Sequence, residues 1–250
     1  MAGRTIVYHQ NIAGKDVYIH KPGVATVDLI ACTTMQEETV TKIIRTYRGD
    51  MENRETFPEE REQAFKDAKS TMLGTPAEMI SYVWLIRNVT RAFTHQLVRS
   101  RIGTSFAQES MRFYGAKKEY HFLASGDVLI SNNLNKYAES IFSCVECYEY
   151  LIATGVKSQD ARGILPTNIL THIYFGCTMR ALQKIFNDRV CCQAQGDEWI
   201  PLLLEMREQI KIVCGDKVSS LLTAPVERGE SCGYNASFDR SCIWKKGIPK

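Results

Sequence analysis

Gln96-Leu97-Val98-Arg99-Ser100-Arg101, followed after Gly103-Thr104-Ser105-Phe106 by Gln108-Glu109-Ser110-Met111-Arg112-Phe113, puts Arg99, Arg101 and Arg112 within one short stretch beside an apolar helical pattern. A guanidinium is a planar fork of donors that fits phosphate or carboxylate oxygens in pairs, and Gln108 and Ser110 add neutral groups suited to a sugar or a base. This inventory points to a nucleotide site. The plainer alternative is a solvated helix face on which Glu109 and Arg112, three residues apart, form an ion pair worth only ~0.2–0.5 kcal/mol.

Working outward, residues 80–87 are rich in β-formers and read as a strand, and 89–102 reads as a helix. On that helix Arg91, His95 and Arg99 are four residues apart and share a face. Short alternations at 5–8, 17–20 and 26–31, punctuated by Gly14 and Pro22-Gly23, predict strands. Charged and apolar residues interleave at helical spacing over 36–48 and 58–73, with Gly49 as a stop and 51–57 as a polar, exposed linker. The pattern is helical over 127–154 and again over 166–195, where Leu170, Ile173, Cys177, Ala181 and Ile185 form the stripe and Pro166 suits the first turn. An amphipathic helix over 197–214 and a loop from Pro225 complete the chain.

The order of these segments resembles the flavin-dependent thymidylate synthases, the ThyX family. Their signature is Arg-His-Arg, seven residues, then Ser; here it reads Arg99-Ser100-Arg101, eight residues, then Ser110. Upstream, Gly74-Thr75-Pro76-Ala77-Glu78 and Asn88-Val89-Thr90-Arg91-Ala92-Phe93-Thr94-His95-Gln96 are similar to the family's approach to that motif. Downstream, Ala161-Arg162-Gly163-Ile164-Leu165-Pro166, Met179-Arg180-Ala181-Leu182, Asn187-Asp188-Arg189 and Gln193-Ala194-Gln195 resemble its second half, so the likeness covers about 31–206. It implies one ThyX-like domain over 1–250, an α+β fold with a twisted, mainly antiparallel sheet packed with long helices, assembled as a homotetramer.

The resemblance implies reductive methylation of dUMP to dTMP, with methylenetetrahydrofolate as carbon donor, FAD as redox cofactor and NADPH as reductant. The protein's share is then binding, orientation and electrostatics. Residue by residue, it implies dUMP contacts from Gln96, Arg99, Gln108, Glu109, Ser110, Arg112, Arg162 and Arg189, with Arg189 catalytic through stabilisation of negative charge on the pyrimidine. Otherwise Arg189 would simply pair with Asp188 or Asp197. FAD contacts are implied for Thr34, Thr75, Glu78, Arg99, Ser100, Arg101, Ile102, Thr178, Met179 and Arg180, with a capping threonine or a surface arginine as the alternative. Ser100, Leu73, Lys184 and Gln193 stand where many members differ. Ser100 and the longer spacing leave open a pyrimidine-nucleotide hydroxymethylase or a noncatalytic nucleotide- or RNA-binding relative.

Composition narrows the classes. In 250 residues, 31 basic against 28 acidic side chains give +3, which argues against a stable nucleic-acid partner held by charge. The absence of an apolar run long enough to span a bilayer and of a signal-peptide core leads to the expectation of a cytoplasmic protein without a membrane partner. Nine cysteines, including the adjacent Cys191-Cys192, read as reduced thiols, and Cys144-Val145-Glu146-Cys147 as buried thiols rather than a metal site. No metal is expected. His9, His20, His121 and His172 show no ligand spacing and read as structural or surface residues.

Overall fold

The alternation at the N-terminus becomes two paired strands in the computed structural model, which describes residues 5–70, 74–191, 194 and 196–230. In chain order come β1 (Ile6–Ile12), β2 (Lys15–His20), β3 (Thr26–Cys32), α1 (Gln36–Tyr47), α2 (Pro58–Ser70), α3 (Thr75–Glu78), β4 (Ser81–Thr90), α4 (Arg91–Leu97), β5 (Thr104–Gln108) and β6 (Glu119–Leu123). There follow α5 (Gly126–Ile130), α6 (Leu134–Ala153), α7 (Ser158–Ala161), β7 (Leu170–Thr178), α8 (Met179–Arg189), α9 (Gly196–Cys214) and α10 (Asp216–Ser219). Strands and helices do not alternate as a regular βαβ repeat, and the first two strands form an antiparallel hairpin, which makes the class α+β.

The chain divides into two compact units. One takes the residues up to Thr26, Ile86–Arg99 and Ala107–Ile173; the other takes Val27–Leu85, Ser100–Phe106 and the described residues from Tyr174 onward. A four-stranded sheet has the order β3-β4-β7-β5.

In the first unit a three-stranded sheet has the order β1-β2-β6. It is mixed rather than antiparallel: β1 pairs antiparallel with β2 through the Ala13-Gly14 turn, but β2 runs parallel to β6 with Val17 opposite Tyr120 and Ile19 opposite Phe122. Those four side chains point to one face, as the strand period of two requires, and are buried with Ile141, Val145 and Tyr148 of α6. Burying side chains of this size contributes ~1.5–3 kcal/mol each. Lys15 and the Tyr120 hydroxyl both satisfy the buried Glu149 carboxylate at the edge of this core, Lys15 Nζ at 2.9 Å.

In the second unit the buried set includes Val40, Ile44, Phe65, Tyr82, Trp84, Leu182, Phe186, Trp199 and Ile210. Residues 51–57 are not a wholly exposed linker. Thr56 is buried, and its N–H and hydroxyl both donate to the Glu38 carboxylate of α1, which also takes Lys42 and Arg61. The Thr56 hydroxyl, with Lys42, holds the Glu38 carboxyl down at about 2 against the effect of burial.

Three helical expectations need correction. The described residues of 166–195 form a strand and then a shorter helix: Leu170, Thr171, Ile173, Phe175 and Cys177 are buried in the strand β7, and α8 starts only at Met179, where the Thr178 hydroxyl accepts Ala181 N–H at 3.2 Å. Pro166 lies before that strand, in a turn in which its carbonyl accepts Ile169 N–H. Within 89–102 only Arg91–Leu97 is helical, because β4 runs on to Thr90, which caps α4 by accepting Phe93 N–H at 3.0 Å. Arg99 therefore follows the helix and does not share a face with Arg91 and His95. The stretch 127–154 is two helices, α5 and α6, interrupted at 131–133.

Candidate active site

The first unit holds most of the positions expected to meet the nucleotide. Its α4 is fixed at the start by Arg91 N–H and Ala92 N–H, which donate to the carbonyls of Ile169 and Thr167 at 3.0 and 2.9 Å. Gln96 is half-buried near the helix end, and Arg99 stands exposed two residues beyond it. The segment that leaves β5 is held from several sides. Gln108 Nε2 donates to Thr94 Oγ1 at 2.7 Å, Glu109 N–H donates to the His172 carbonyl at 3.0 Å, and Arg91 Nη2 donates to the Glu109 carbonyl at 2.6 Å. The Glu109 carboxylate takes Lys117 Nζ at 2.5 Å and Thr171 Oγ1 at 3.5 Å, so its ion-pair partner is Lys117 and not the Arg112 of the plain helix-face reading.

The following turn, from Ser110 to Arg112, is closed by Phe113 N–H to the Ser110 carbonyl at 3.2 Å and by Arg112 N–H to Ser110 Oγ at 3.3 Å. Ser158 at the start of α7 donates to the Met111 carbonyl at 3.5 Å, and Arg162 follows directly after that helix with its Nε on the Gln159 carbonyl at 3.1 Å. Arg112 and Arg162 therefore belong to segments that touch. The side chains of Arg99, Arg101 and Arg112 are exposed and have no protein partner among the described residues.

The second unit holds the positions expected to meet the flavin, apart from Arg99. Thr178 N–H donates to the Gly103 carbonyl at 2.9 Å, which fixes Ser100, Arg101 and Ile102 beside the start of α8. Gly103 sits at φ +69°, and a Cβ there would be 2.8 Å from Thr178 Oγ1. Arg180 Nη1 pairs with Glu78 at 2.5 Å, and its guanidinium lies so close to Gly74 that a Cβ on that glycine would fall 2.5 Å from Arg180 Cζ. Gly74, Thr75, Glu78, the Ser100 to Gly103 turn and Thr178 to Arg180 thus form one neighbourhood. Thr34 and Thr75 are exposed, and Ile102 is 92% exposed. Met179 is different: it is fully buried and its N–H is taken by the Ile80 carbonyl at 2.9 Å, so its side chain packs the core. The Thr178 hydroxyl is committed as a helix cap.

Arg189, at the end of α8 in the second unit, stacks its guanidinium over the Trp199 ring at 5.0 Å. Asp188 instead takes Lys184 at 2.7 Å. Leu73 and Gln193 lie outside the described residues, as do Cys232 and Cys242. Residue-pattern reasoning missed Lys117, Arg91, Thr94 and Trp199 as supports of the site. Each meets its partner only through the tertiary fold, and of the four only Arg91 stands out in the sequence, as a cation in the helical stretch with His95.

Elsewhere, His20 and His121 bond through their rings at 3.0 Å, and burial followed by the nearby His121 pushes His20 down to about 4. His172 Nδ1 accepts Asn88 N–H at 3.3 Å, at a residue with φ +56°. Cys147 is exposed and Cys144 half-buried, so that pair is not wholly internal. Among the described residues no group of three His, Cys, Asp or Glu side chains could hold a metal ion, and no helix is long and apolar enough to cross a membrane.

The α+β fold of this chain is similar to that of solved enzymes. The UMP/dUMP methylase PolB from Streptomyces cacaoi, solved with 5-Br dUMP, superimposes with a TM-score of 0.65 at 17% identity over 80% of this chain and 95% of that one. Thymidylate synthase X from Helicobacter pylori, solved with FAD and dUMP, gives 0.64 at 18% identity over 80% and 99%. A family model described as thymidylate synthase complementing protein matches residues 28–214. The flavin-dependent thymidylate synthase of Geobacter sulfurreducens is 32% identical over 170 residues, 65% of this chain and 72% of that protein. That of Saccharolobus solfataricus is 28% identical over 192 residues, 75% and 73%. The chain belongs to the flavin-dependent thymidylate synthase (ThyX) family of methyltransferases.

Proposed function

We propose that the chain converts dUMP to dTMP by reductive methylation, taking the carbon from methylenetetrahydrofolate and the electrons from NADPH by way of FAD, as a cytoplasmic homotetramer. The observation that carries this reading is in the first unit, where the exposed guanidiniums of Arg99 and Arg112 have no protein partner among the described residues and Gln108 and Glu109 are anchored through backbone and side chain. Cations left without protein partners on a fixed support are what a phosphate ester needs. The names of the relatives, and the dUMP in the Helicobacter structure, support it further.

Arg112, Ser110 and Arg162 take the nucleotide phosphate in this reading, and Gln96, Arg99, Gln108 and Glu109 its sugar and base. Arg189 is the catalytic residue: a permanently charged guanidinium beside the pyrimidine favours loss of the imide proton and stabilises the charge that develops on the ring. Its stacking on Trp199 gives it a fixed orientation, so little reorganisation accompanies the reaction.

The second unit suits FAD. Arg101 and Arg180 offer guanidiniums for a diphosphate and exposed Ile102 an apolar surface for a flat ring, while Gly74 and Gly103 allow the close approach of Arg180 and Thr178 that added Cβ atoms would prevent. Thr34, Thr75, Glu78, Ser100, Thr178 and the backbone of Met179 complete this unit's set, and Arg99 joins it only through the family resemblance. When bound, FAD supplies hydride chemistry that no side chain of the chain can supply. Exposed Ile102 and Phe113, 92% and 74% accessible, flank the motif arginines and suit coverage by another subunit.

The test is to purify the protein, record its absorption spectrum after incubation with FAD, and determine by mass spectrometry the product made from dUMP, methylenetetrahydrofolate and NADPH. A flavin-loaded protein whose product is heavier than dUMP by one CH2 is the expected result. A product heavier by one CH2O means a hydroxymethylase. A colourless protein that binds dUMP without turnover means a noncatalytic relative. The likeness to a UMP/dUMP methylase makes UMP the second substrate to assay.

A further inference from the structure

Cys32 ends β3 and Cys214 ends α9, at opposite ends of the family-matched span, and their sulfurs lie 3.9 Å apart. The approach is held by the fold on both sides. Gln209, on α9, uses its amide to bridge the edge of β3, accepting Leu29 N–H and donating to the Val27 carbonyl, each at 2.8 Å. Strand and helix therefore run side by side toward the two cysteines. Beyond Cys214, Gly215 turns with φ +94° directly against the Glu37 carboxylate, where a Cβ would fall 2.8 Å from Oε1.

Both cysteines line a cavity of about 430 Å3 together with Thr34, Met35, Glu37 and Arg61. Each cysteine is partly accessible. The segment at the cavity mouth leaves β3 through Met35, which holds a left-handed φ of 50° that a side chain of this size rarely adopts. Both residues border the cavity, and the sulfurs, 3.9 Å apart, need to close by less than 2 Å to reach the ~2.05 Å of a disulfide bond.

We propose that Cys32 and Cys214 form a redox-responsive dithiol that closes to a disulfide and ties the cavity-mouth segment from Thr33 to Gln36 to the end of α9. With a low-molecular-weight disulfide as the oxidant, the Cys32 thiolate attacks one sulfur and releases one thiol, forming a mixed disulfide. Cys214 then attacks Cys32 Sγ, forms the internal bond and releases the second thiol. Two protein thiols are oxidised and one small disulfide is reduced. Cys214 is the second attacker, since burial and the adjacent Cys32 push its thiol up to about 12.

The full chain, reduced and freed of reductant, is incubated with oxidised glutathione, alkylated with iodoacetamide and digested without reduction. The expected product is a cross-linked peptide pair joining Cys32 to Cys214, two hydrogens lighter than the dithiol, reversed by dithiothreitol and absent in Cys32→Ser and in Cys214→Ser. Hydrogen exchange over 33–37 slows in the oxidised wild-type chain. Full alkylation of both cysteines while other thiols consume glutathione, or a cross-link from either to a different cysteine, overturns the pairing. Unchanged exchange over 33–37 in a chain carrying the cross-link overturns the tether. Both wild-type measurements stand even where a serine variant does not fold.

Discussion

Gly103→Ala tests the join between the Ser100 turn and α8, because two separable costs meet at one atom. The new Cβ must occupy φ +69°, a left-handed conformation that costs an L-residue ~1–2 kcal/mol. It also falls 2.8 Å from Thr178 Oγ1, so the hydroxyl that accepts Ala181 N–H must move, with loss of a helix cap worth ~1 kcal/mol. A stiffer unfolded chain offsets ~0.5 kcal/mol of this. The net loss is ~1.5–2.5 kcal/mol. Thr178→Ala alone removes only the cap, ~1 kcal/mol. In the double variant the cap is already gone and the Cβ meets no hydroxyl, so Thr178→Ala adds almost nothing on the Gly103→Ala background. The coupling of ~1 kcal/mol is measurable by urea unfolding of the four proteins at one fixed concentration, provided the slopes agree. Simple additivity, or a Gly103→Ala chain as stable as the wild type, would refute the geometry.

Arg112→Ala and Arg162→Ala each raise the Kd for dUMP about tenfold to a hundredfold in calorimetric titration, the loss of ~1.5–3 kcal/mol expected for one charged hydrogen-bonding group; an unchanged Kd in both removes them from the nucleotide site. Arg189→Ala lowers kcat with little change in dUMP affinity, and Trp199→Leu does so more mildly; steady-state kinetics showing a rise in KM alone would place Arg189 in binding only. His20 titrates at about 4 in the folded chain and higher when unfolded, so its contribution is complete above the unfolded value near 6.5 and is lost as pH falls toward 4. His20→Gln therefore flattens the fall of Tm over that window, and an identical slope counts against a buried neutral imidazole. Glu38 has its folded value depressed to about 2, so its contribution is present above the usual carboxylate range and fades as pH falls through 4 toward 2. Glu38→Gln should cost stability at pH 7 and converge on the wild type near pH 2.

The N-terminal strands were legible because Val17, Ile19 and their polar neighbours alternate cleanly, and α1 because its acidic start and apolar stripe agree. Residues 166–195 misled because Leu170, Ile173, Cys177 and Ala181 satisfy helical spacing while Ile173, Phe175 and Cys177 equally satisfy a strand. A short apolar run obeys both periods, and only the sheet partners decide. The same limit explains the site. Arg99, Arg101 and Arg112 announce anion chemistry by type and density, and the ordered motifs name the family. That Glu109 is claimed by Lys117, that Ser158 brings the Arg162 segment to Met111, and that Arg189 lies on Trp199 are products of long-range packing that no spacing encodes.

The parallel pairing of β2 with β6 has a practical reach beyond the site. The family-matched span begins at residue 28, after the whole β1–β2 hairpin, yet among the described residues β2 of that hairpin is the one strand laddered to β6, which otherwise makes only an isolated bridge from Phe122 to Ile169. Shortening the protein to its shared span would strip β6 of its ladder and bare Tyr120 and Phe122, leaving a sticky, unsatisfied rim open to self-association. The family resemblance alone is therefore a poor guide to where this polypeptide can be cut and stay soluble.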